Sequence, residues 1–328
     1  MTSPVQRTEA ALVLADGRIF RGLSFGAQGK TLGEAVFSTA MTGYQETMTD
    51  PSYHRQIVVS TAPQIGNTGW NDEDSESRGD KIWVAGLVIR DLSRSVSNWR
   101  STRSLPEEME AQGIIGIQGV DTRAIVRHLR DKGSVSAGIF SGDAVVADED
   151  MLAQVKEQPS MAGADLAGDV STDDNYIVEP DGETKYTVVA FDMGIKTNTP
   201  REFSRRGVRT VVVPSTTSAE RVKELLQEYG GQGVFVSNGP GDPATADNTV
   251  EQVKEILKAD IPFFGICFGN QILGRALGME TYKLKFGHRG TNVPVHNHLT
   301  GKIDITAQNH GFALKGSAGD RFDTPFGE

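Results

Sequence analysis

Cys267 is the only cysteine of the chain, and its neighbours are those a thiol nucleophile needs. Residues 261–278 read IPFFGICFGNQILGRALG. An apolar strand runs into Gly265-Ile266-Cys267-Phe268-Gly269, and a helix-forming stretch follows. This is a G-x-nucleophile-x-G turn with cysteine where a hydrolase would carry serine. Such a turn strains the backbone at its centre, and the flanking glycines make room for it. The thiol then sits at a helix N-terminus, where the dipole favours thiolate. The N–H of Phe268 faces the place where an oxyanion would form. The competing reading is a structural cysteine buried in an apolar strand, a common fate of free thiols.

A second loop at a strand end, SNGPGDP at 237–243, follows the apolar run GVFV. Its two glycines and two prolines make a rigid turn with exposed amides. It lacks the Lys-Ser/Thr pair of a phosphate-binding Walker loop. It is either an ordinary strand-to-helix connection or the other half of an oxyanion hole beside Phe268.

The elements around these loops alternate. Strand-like runs at 186–191, 210–213, 233–237 and 262–266 are separated by helix-like runs at about 199–206, 218–229 and 246–258. Ser218 caps the second of these helices and Gly230 ends it. Alternation of this kind implies parallel βαβ units, whose chemistry sits at the carboxyl ends of the strands. The first half reads as mostly strands. Asp16-Gly17 between two apolar runs is a hairpin signal, and helices are expected at about 105–112 and 121–132, with a short one at 149–157. Residues 164–184 are polar, acidic and turn-rich, and read as a linker. The expected organisation is therefore a domain over 1–163, a linker over 164–184 and a second domain over 185–328, an α/β chain throughout.

Composition excludes several classes of function. The formal net charge of −10 disfavours a nucleic-acid backbone or an anionic membrane as partner. No run of 18 apolar residues is long enough to span a bilayer, and the N-terminus lacks the apolar core of a signal peptide. With one cysteine no internal disulfide can form, and a cytoplasmic location is expected.

The nucleophile turn and the glycine-proline loop together resemble class I glutamine amidotransferases. The first half narrows the resemblance: FSTAMTGYQETMTDPSY (37–53), PQIGNTG (63–69), GLVIRDLS (86–93) and GVDTRAIVRHLRDKG (119–133) are similar to the small-subunit family of carbamoyl-phosphate synthetases. FDMGIKTNTPREFSRRG (191–207), KFGHRGTN (285–292) and TAQNHGF (306–312) extend the likeness over nearly the whole chain. The resemblance implies a mixed, β-rich α/β domain followed by a flavodoxin-like amidotransferase domain with a mainly parallel sheet. It implies that Cys267 attacks the side-chain amide of L-glutamine, with oxyanion-hole amides at Gly239 and Phe268. It places glutamine binding on Ser52, Gly239, Gly241, Phe268, Gln271, Asn309, Gly311 and Phe312, so that substrate is expected near the meeting of the two domains. It also implies a large-subunit partner, which would hold ATP and Mg²⁺ and use bicarbonate to make carbamoyl phosphate. No cofactor or metal is expected on this chain.

In that family a later His-Pro-Glu segment supplies the general base and its orienting carboxylate. The sequence ends GDRFDTPFGE without one, and is expected to be part of a longer chain. If it is whole, hydrolysis should be impaired by on the order of 10²–10⁴-fold, and a catalytically silent partner of the large subunit becomes the alternative. His310 is read as a wall of the site, His296-x-His298 as a solvated loop, and the acidic cluster 71–76 as a solvated turn without calcium-loop spacing. His54 and His128 show no constellation.

Overall fold

The computed structural model describes residues 8–317 and 319–327, which divide into two compact units. The first comprises residues up to Ser75, then 79–160 and 285–309; the second comprises 76–78, 161–284 and 310 onward.

The first unit is built from β1 (Glu9–Leu14), β2 (Ile19–Gly26), β3 (Lys30–Ser38), β4 (Gln56–Ser60), β5 (Gln64–Ile65), β6 (Gly86–Val88), β7 (Asp91–Leu92), β8 (Ile115–Gln118) and β9 (Val135–Ser141). Its helices are α1 (Tyr44–Thr49), α2 (Leu105–Ala111), α3 (Thr122–Lys132) and α4 (Asp148–Glu157). Asp16-Gly17 turns β1 back onto β2, Val13 opposite Ile19. Seven strands close into a barrel in the order β1-β2-β8-β6-β4-β3-β9. Pairing is antiparallel around β1, β2 and β9, and parallel across β3, β4, β6 and β8.

Strands β1, β4, β6, β8 and β9 bury both faces over most of their length, which is why they read as apolar runs rather than as alternation. Leu12, Leu14, Ile57, Val59, Ile115, Ile117 and Ile139 converge with Ile125 and Leu129 of α3. The residues between them face outward under other cover. Val58 and Leu87 pack with Met48, Trp70, Leu105 and Met109, while Val13 and Phe140 pack with Met151 and Val155 of α4. Helix α2 opens with a full capping box, Ser104 and Glu107 each accepting the other's backbone N–H. Asp121 caps α3 by accepting from Ala124 N–H at 2.9 Å.

The second unit holds α5 (Ala167–Val170), β10 (Tyr176–Val178), β11 (Tyr186–Asp192), α6 (Asn198–Ser204), β12 (Val208–Pro214), α7 (Ala219–Tyr229), β13 (Gly233–Val236), α8 (Asp247–Lys258), β14 (Phe263–Gly265) and α9 (Phe268–Ala276). Its sheet has the order β10-β12-β11-β13-β14. All neighbours are parallel except β10, which runs antiparallel to β12. Strands β12, β11, β13 and β14 therefore follow the flavodoxin-like order. The chain leaves β11 toward one edge and returns to build toward the other, so the switch point lies between β11 and β13. Helices α7, α8 and α9 bury Val222, Leu225, Val253, Ile256 and Ile272 against Val189, Phe191, Val211, Val213, Val234 and Val236 of the sheet. A long hairpin, β15 (Thr281–Asn297) and β16 (Lys302–Leu314), has residues 285–309 grouped with the first unit and its base with the second.

Several sequence expectations need correction. Residues 164–184 are not a bare linker: they contain α5 and β10, and Ser171 Oγ accepts from Ser215 N–H while Asp192 accepts from Thr172 N–H. Short polar stretches gain their structure here from a neighbouring sheet edge, which local composition does not report. The acidic cluster 71–76 is not simply solvated. Asn71 and Ser75 are buried, and Asp74 pairs with Arg100 and accepts from Asn71 Nδ2. His128 is buried and bonded to Asp16 of the β1–β2 turn at 2.5 Å, and His54 packs edge-on against Trp83. His296 lies within β15 rather than in a loop, its ring 4.6 Å from that of His298.

Candidate active site

Strand β14 ends at Gly265 and α9 begins at Phe268, with Cys267 as the N-cap at φ 53°, ψ −108°. A non-glycine residue at positive φ is uncommon, and this ψ lies away from the left-handed helical well that usually relieves it. The conformation is imposed from both sides. A Cβ on Gly265 would lie 2.5 Å from the carbonyl of Gly269, and one on Gly269 would lie 2.0 Å from the Val236 oxygen. Both glycines are thus demanded by backbone packing on backbone. Gly269 N–H donates to Ser237 O and Ile266 O, each at 3.0 Å, and Ile266 N–H donates to Val236 O at 3.1 Å. The elbow is therefore bonded to the end of β13, beside the switch point. Cys267 itself is half-buried, not sealed in the interior. Phe268 is buried, and as the first helical residue its N–H has no acceptor within the helix.

The loop after β13 is held as firmly. Ser237 Oγ accepts from Met193 N–H at 3.0 Å and donates to Asn238 O at 2.8 Å. Asn238 Nδ2 donates to Gly194 O at 2.7 Å. These bonds tie the carboxyl ends of β11 and β13 together. Gly239 approaches so closely that a Cβ there would meet Met193 O at 2.1 Å. Gly241 has φ +88°, and its Cβ would meet Ala164 O at 2.6 Å. Asp242 fixes the far side: it accepts from Ala244 and Gly163 N–H, both at 2.9 Å, and donates its own N–H to Ala164 O.

Gln271, buried on α9, donates from Nε2 to Phe312 O at 2.6 Å. His310 Nδ1 lies 2.8 Å from the same oxygen, so it carries the proton and donates. Gly311 sits between them on β16. Phe312 is buried with Met161, Ala164 and Leu166. The second unit thus brings Cys267, Phe268, Gly239, Gly241, Gln271, Gly311 and Phe312 onto one bonded framework. The other two expected residues belong to the first unit, where Asn309 Nδ2 donates to Asp50 Oδ2 at 2.9 Å and Ser52 N–H donates to Asp50 Oδ1 at 2.9 Å.

Three supporting features were not singled out from sequence: Asp242, the 161–166 segment that packs on the loop, and Asp192. Asp192 ends β11 and accepts from Gly194, Ile195 and Thr172 N–H. Burial pushes its carboxyl above the ordinary range, against the pull of those three donors. An aspartate closing a strand two residues before a glycine is a readable signal for such a turn. Among the described residues no group of three or more His, Cys, Asp or Glu side chains is placed to hold a metal, and no helix is long and apolar enough to cross a membrane.

Comparison with known proteins identifies the family. Residues 12–139 match the family model for the carbamoyl-phosphate synthase small chain, CPSase domain, and residues 188–324 match glutamine amidotransferase class-I. The carbamoyl phosphate synthase small chain of Corynebacterium diphtheriae is 75% identical over 328 residues, covering 100% of this chain and 85% of that one. That of Corynebacterium glutamicum is 70% identical over 97% of this chain and 80% of its own length. That of Mycobacterium tuberculosis is 62% identical over 98% of this chain and 85% of its own. With a half-buried thiol on a strained strand-to-helix elbow and identity of this order along its whole length, the chain belongs to the carbamoyl phosphate synthase small chain family and carries a class I glutamine amidotransferase domain.

Proposed function

We propose that the chain hydrolyses L-glutamine to glutamate and ammonia through a thioester on Cys267. The ammonia passes to a large carbamoyl phosphate synthase chain, which uses it with bicarbonate, ATP and Mg²⁺. The observation that carries this reading is the backbone of Cys267, a non-glycine residue held at φ 53° between two glycines that cannot bear a side chain. Strain of this kind persists only where surrounding structure enforces it, and it concentrates at reactive residues.

In the reaction Sγ, as thiolate at the head of α9, attacks the side-chain carbonyl carbon of glutamine. The C=O electron pair moves onto oxygen, and the amides of Phe268 and Gly239 are assigned to hold it. The pair returns, the C–N bond breaks, and ammonia leaves with the proton that the thiol gave up. Water then attacks the γ-glutamyl thioester and the C–S bond breaks, releasing glutamate. The proton shuttle needs a base, which the family resemblance gives to a His-Pro-Glu segment later than Phe312. His310 is given the wall of the site, where its Nδ1–H donates to Phe312 O.

Glutamine is held by Gly239, Gly241, Phe268, Gln271, Gly311 and Phe312, and the family resemblance also assigns Ser52 and Asn309 to it. Gln271 and Phe312 are coupled, since truncating Gln271 would remove one of the two donors to the Phe312 carbonyl and leave His310 Nδ1–H as the other.

The test is ammonia release from glutamine by the complex with its large chain, comparing wild type with Cys267→Ser. The serine variant should lose roughly 10³-fold or more in rate while melting at the same temperature. Ammonia release at the wild-type rate would remove the nucleophile assignment.

A further inference from the structure

Gly239 and Gly241 donate their N–H groups to nothing among the described residues, although Gly239 is buried and Gly241 half-buried. Backbone amides in such positions are nearly always paired. These two are left as donors for a bound acceptor, which is what an oxyanion hole requires. Such donors are effective only if they cannot turn away, so the ties on either side of residues 239–241 matter. One end is bonded to β11 through Ser237 and Asn238. The other end depends on Asp242.

Asp242 does more than cap the short turn that follows it. It is 9% exposed, and its carboxylate forms no ion pair among the described residues. Arg275, which donates to Pro243 O beside it, pairs with Asp247 instead. Burying a carboxylate without a cation is unfavourable unless hydrogen bonds replace its water. Capping the 243–245 turn takes one oxygen, Oδ1, which accepts from Ala244 N–H, and a serine would do that as well. The second oxygen reaches out of the loop. Oδ2 accepts from Gly163 N–H at 2.9 Å, and Asp242 N–H returns a bond to Ala164 O at 2.9 Å. Donors from two different segments need an acceptor at both positions, which a carboxylate supplies and a carboxamide does not. The segment that Asp242 grips also lies against the glycines. A Cβ on Gly241 would meet Ala164 O at 2.6 Å and Leu166 N at 3.1 Å.

We propose that Asp242 is a positioning residue for glutamine hydrolysis: by gripping the 161–166 segment, its carboxylate sets the Gly239 and Gly241 amides where the developing oxyanion needs them. This rests on the reading of Cys267 as the nucleophile of a glutaminase. The oxyanion exists only once the carbonyl is attacked, so a displaced amide lowers kcat more than it raises KM. The thiol is held by α9 and the end of β13, so its own reactivity does not depend on Asp242.

The experiment measures ammonia release by the complex with the large chain for wild type, Asp242→Asn and Asp242→Ala. Alongside it, alkylation of Cys267 by iodoacetamide is followed on the Cys267 peptide. Iodoacetamide reacts at a saturated carbon and needs no oxyanion hole. Asp242→Asn keeps one acceptor and should lower kcat about 10-fold, whereas Asp242→Ala keeps neither and should lower it about 100-fold, with KM within about threefold in both. Alkylation should stay within about twofold of wild type. A folded alanine variant with wild-type kcat overturns the proposal. If alanine unfolds the protein at the assay temperature, a folded asparagine variant with wild-type kcat does so. A loss carried by KM alone assigns Asp242 to ground-state binding, and a parallel fall in kcat and alkylation assigns it to the elbow as a whole; either result overturns the proposal. Ammonia release at the wild-type rate from Cys267→Ser removes the reading beneath it, whatever the Asp242 variants do.

Discussion

In the first unit seven strands close on themselves, whereas in the second five stay open, and Cys267, the proposed nucleophile, follows the last strand of the open sheet. Closure satisfies strand edges and fills the interior with Leu12, Ile57, Ile117 and Ile139, leaving a packed core. The open sheet cannot do this. Its strand order reverses at β11 and β13, where the connections that follow lead to opposite sides of the sheet and their main-chain groups are tied off by Ser237, Asn238 and Asp192. Backbone outliers follow the same division. Arg55 and Asp80 in the first unit, and Asp260 after α8, have φ near 60°, as polar residues in turns can. Cys267 has φ 53° with ψ −108°, held there by its two tight glycines and by the bonds of the elbow to the end of β13. The strained residue is thus the proposed nucleophile, at the carboxyl end of the open sheet.

That contrast can be broken in either unit. The largest effect should come from Gly269→Ala, whose Cβ would meet the Val236 oxygen at 2.0 Å. Moving β13 or α9 aside should cost on the order of 3 kcal/mol, read by denaturant unfolding, and should also release Cys267 from its elbow. A variant as stable as wild type would show that the elbow is not under compression.

Asp121→Ala in the first unit should cost about 1 kcal/mol by loss of the α3 cap, with the elbow untouched. Glutamine hydrolysis should therefore be unchanged at temperatures where the variant is folded. A fall in turnover without unfolding would show that the barrel does more than support.

The smallest effect is a slope. The Asp192 carboxyl is raised by burial in the folded state, so folded protein binds its proton more readily than unfolded protein does. Its contribution is fully present below the unfolded pKa and is lost as pH rises through the folded one. Asp192→Asn does not titrate, so the stability advantage of wild type over this variant should grow as pH falls from neutral toward the unfolded value of 3.8. A constant gap would mean the carboxyl is not desolvated.

Much of this was legible where a local rule carries the information. Asp16-Gly17 marks its hairpin, Asp121 and Ser218 cap their helices, and Gly265-x-Cys267-x-Gly269 marks the elbow. What was not legible depends on distant partners. Barrel closure joins β1 to β9, more than a hundred residues apart, and nothing local in either strand states it. Strand β10 is defined by β12, the burial of Asn71 and Ser75 belongs to a network reaching Arg100, and His128 is paired only because α3 lies against the β1–β2 turn. The 161–166 segment was assigned by composition to a domain end and a linker, yet Ala164 O receives the N–H of Asp242.

The most direct test of the nucleophile is to treat the protein with a glutamine analogue bearing an electrophile at the γ position and to locate the adduct by peptide mass spectrometry. One adduct should form, on the Cys267 peptide, and excess glutamine should slow it. Labelling elsewhere, or labelling of Cys267 that glutamine does not slow, would contradict a glutamine site built on this thiol.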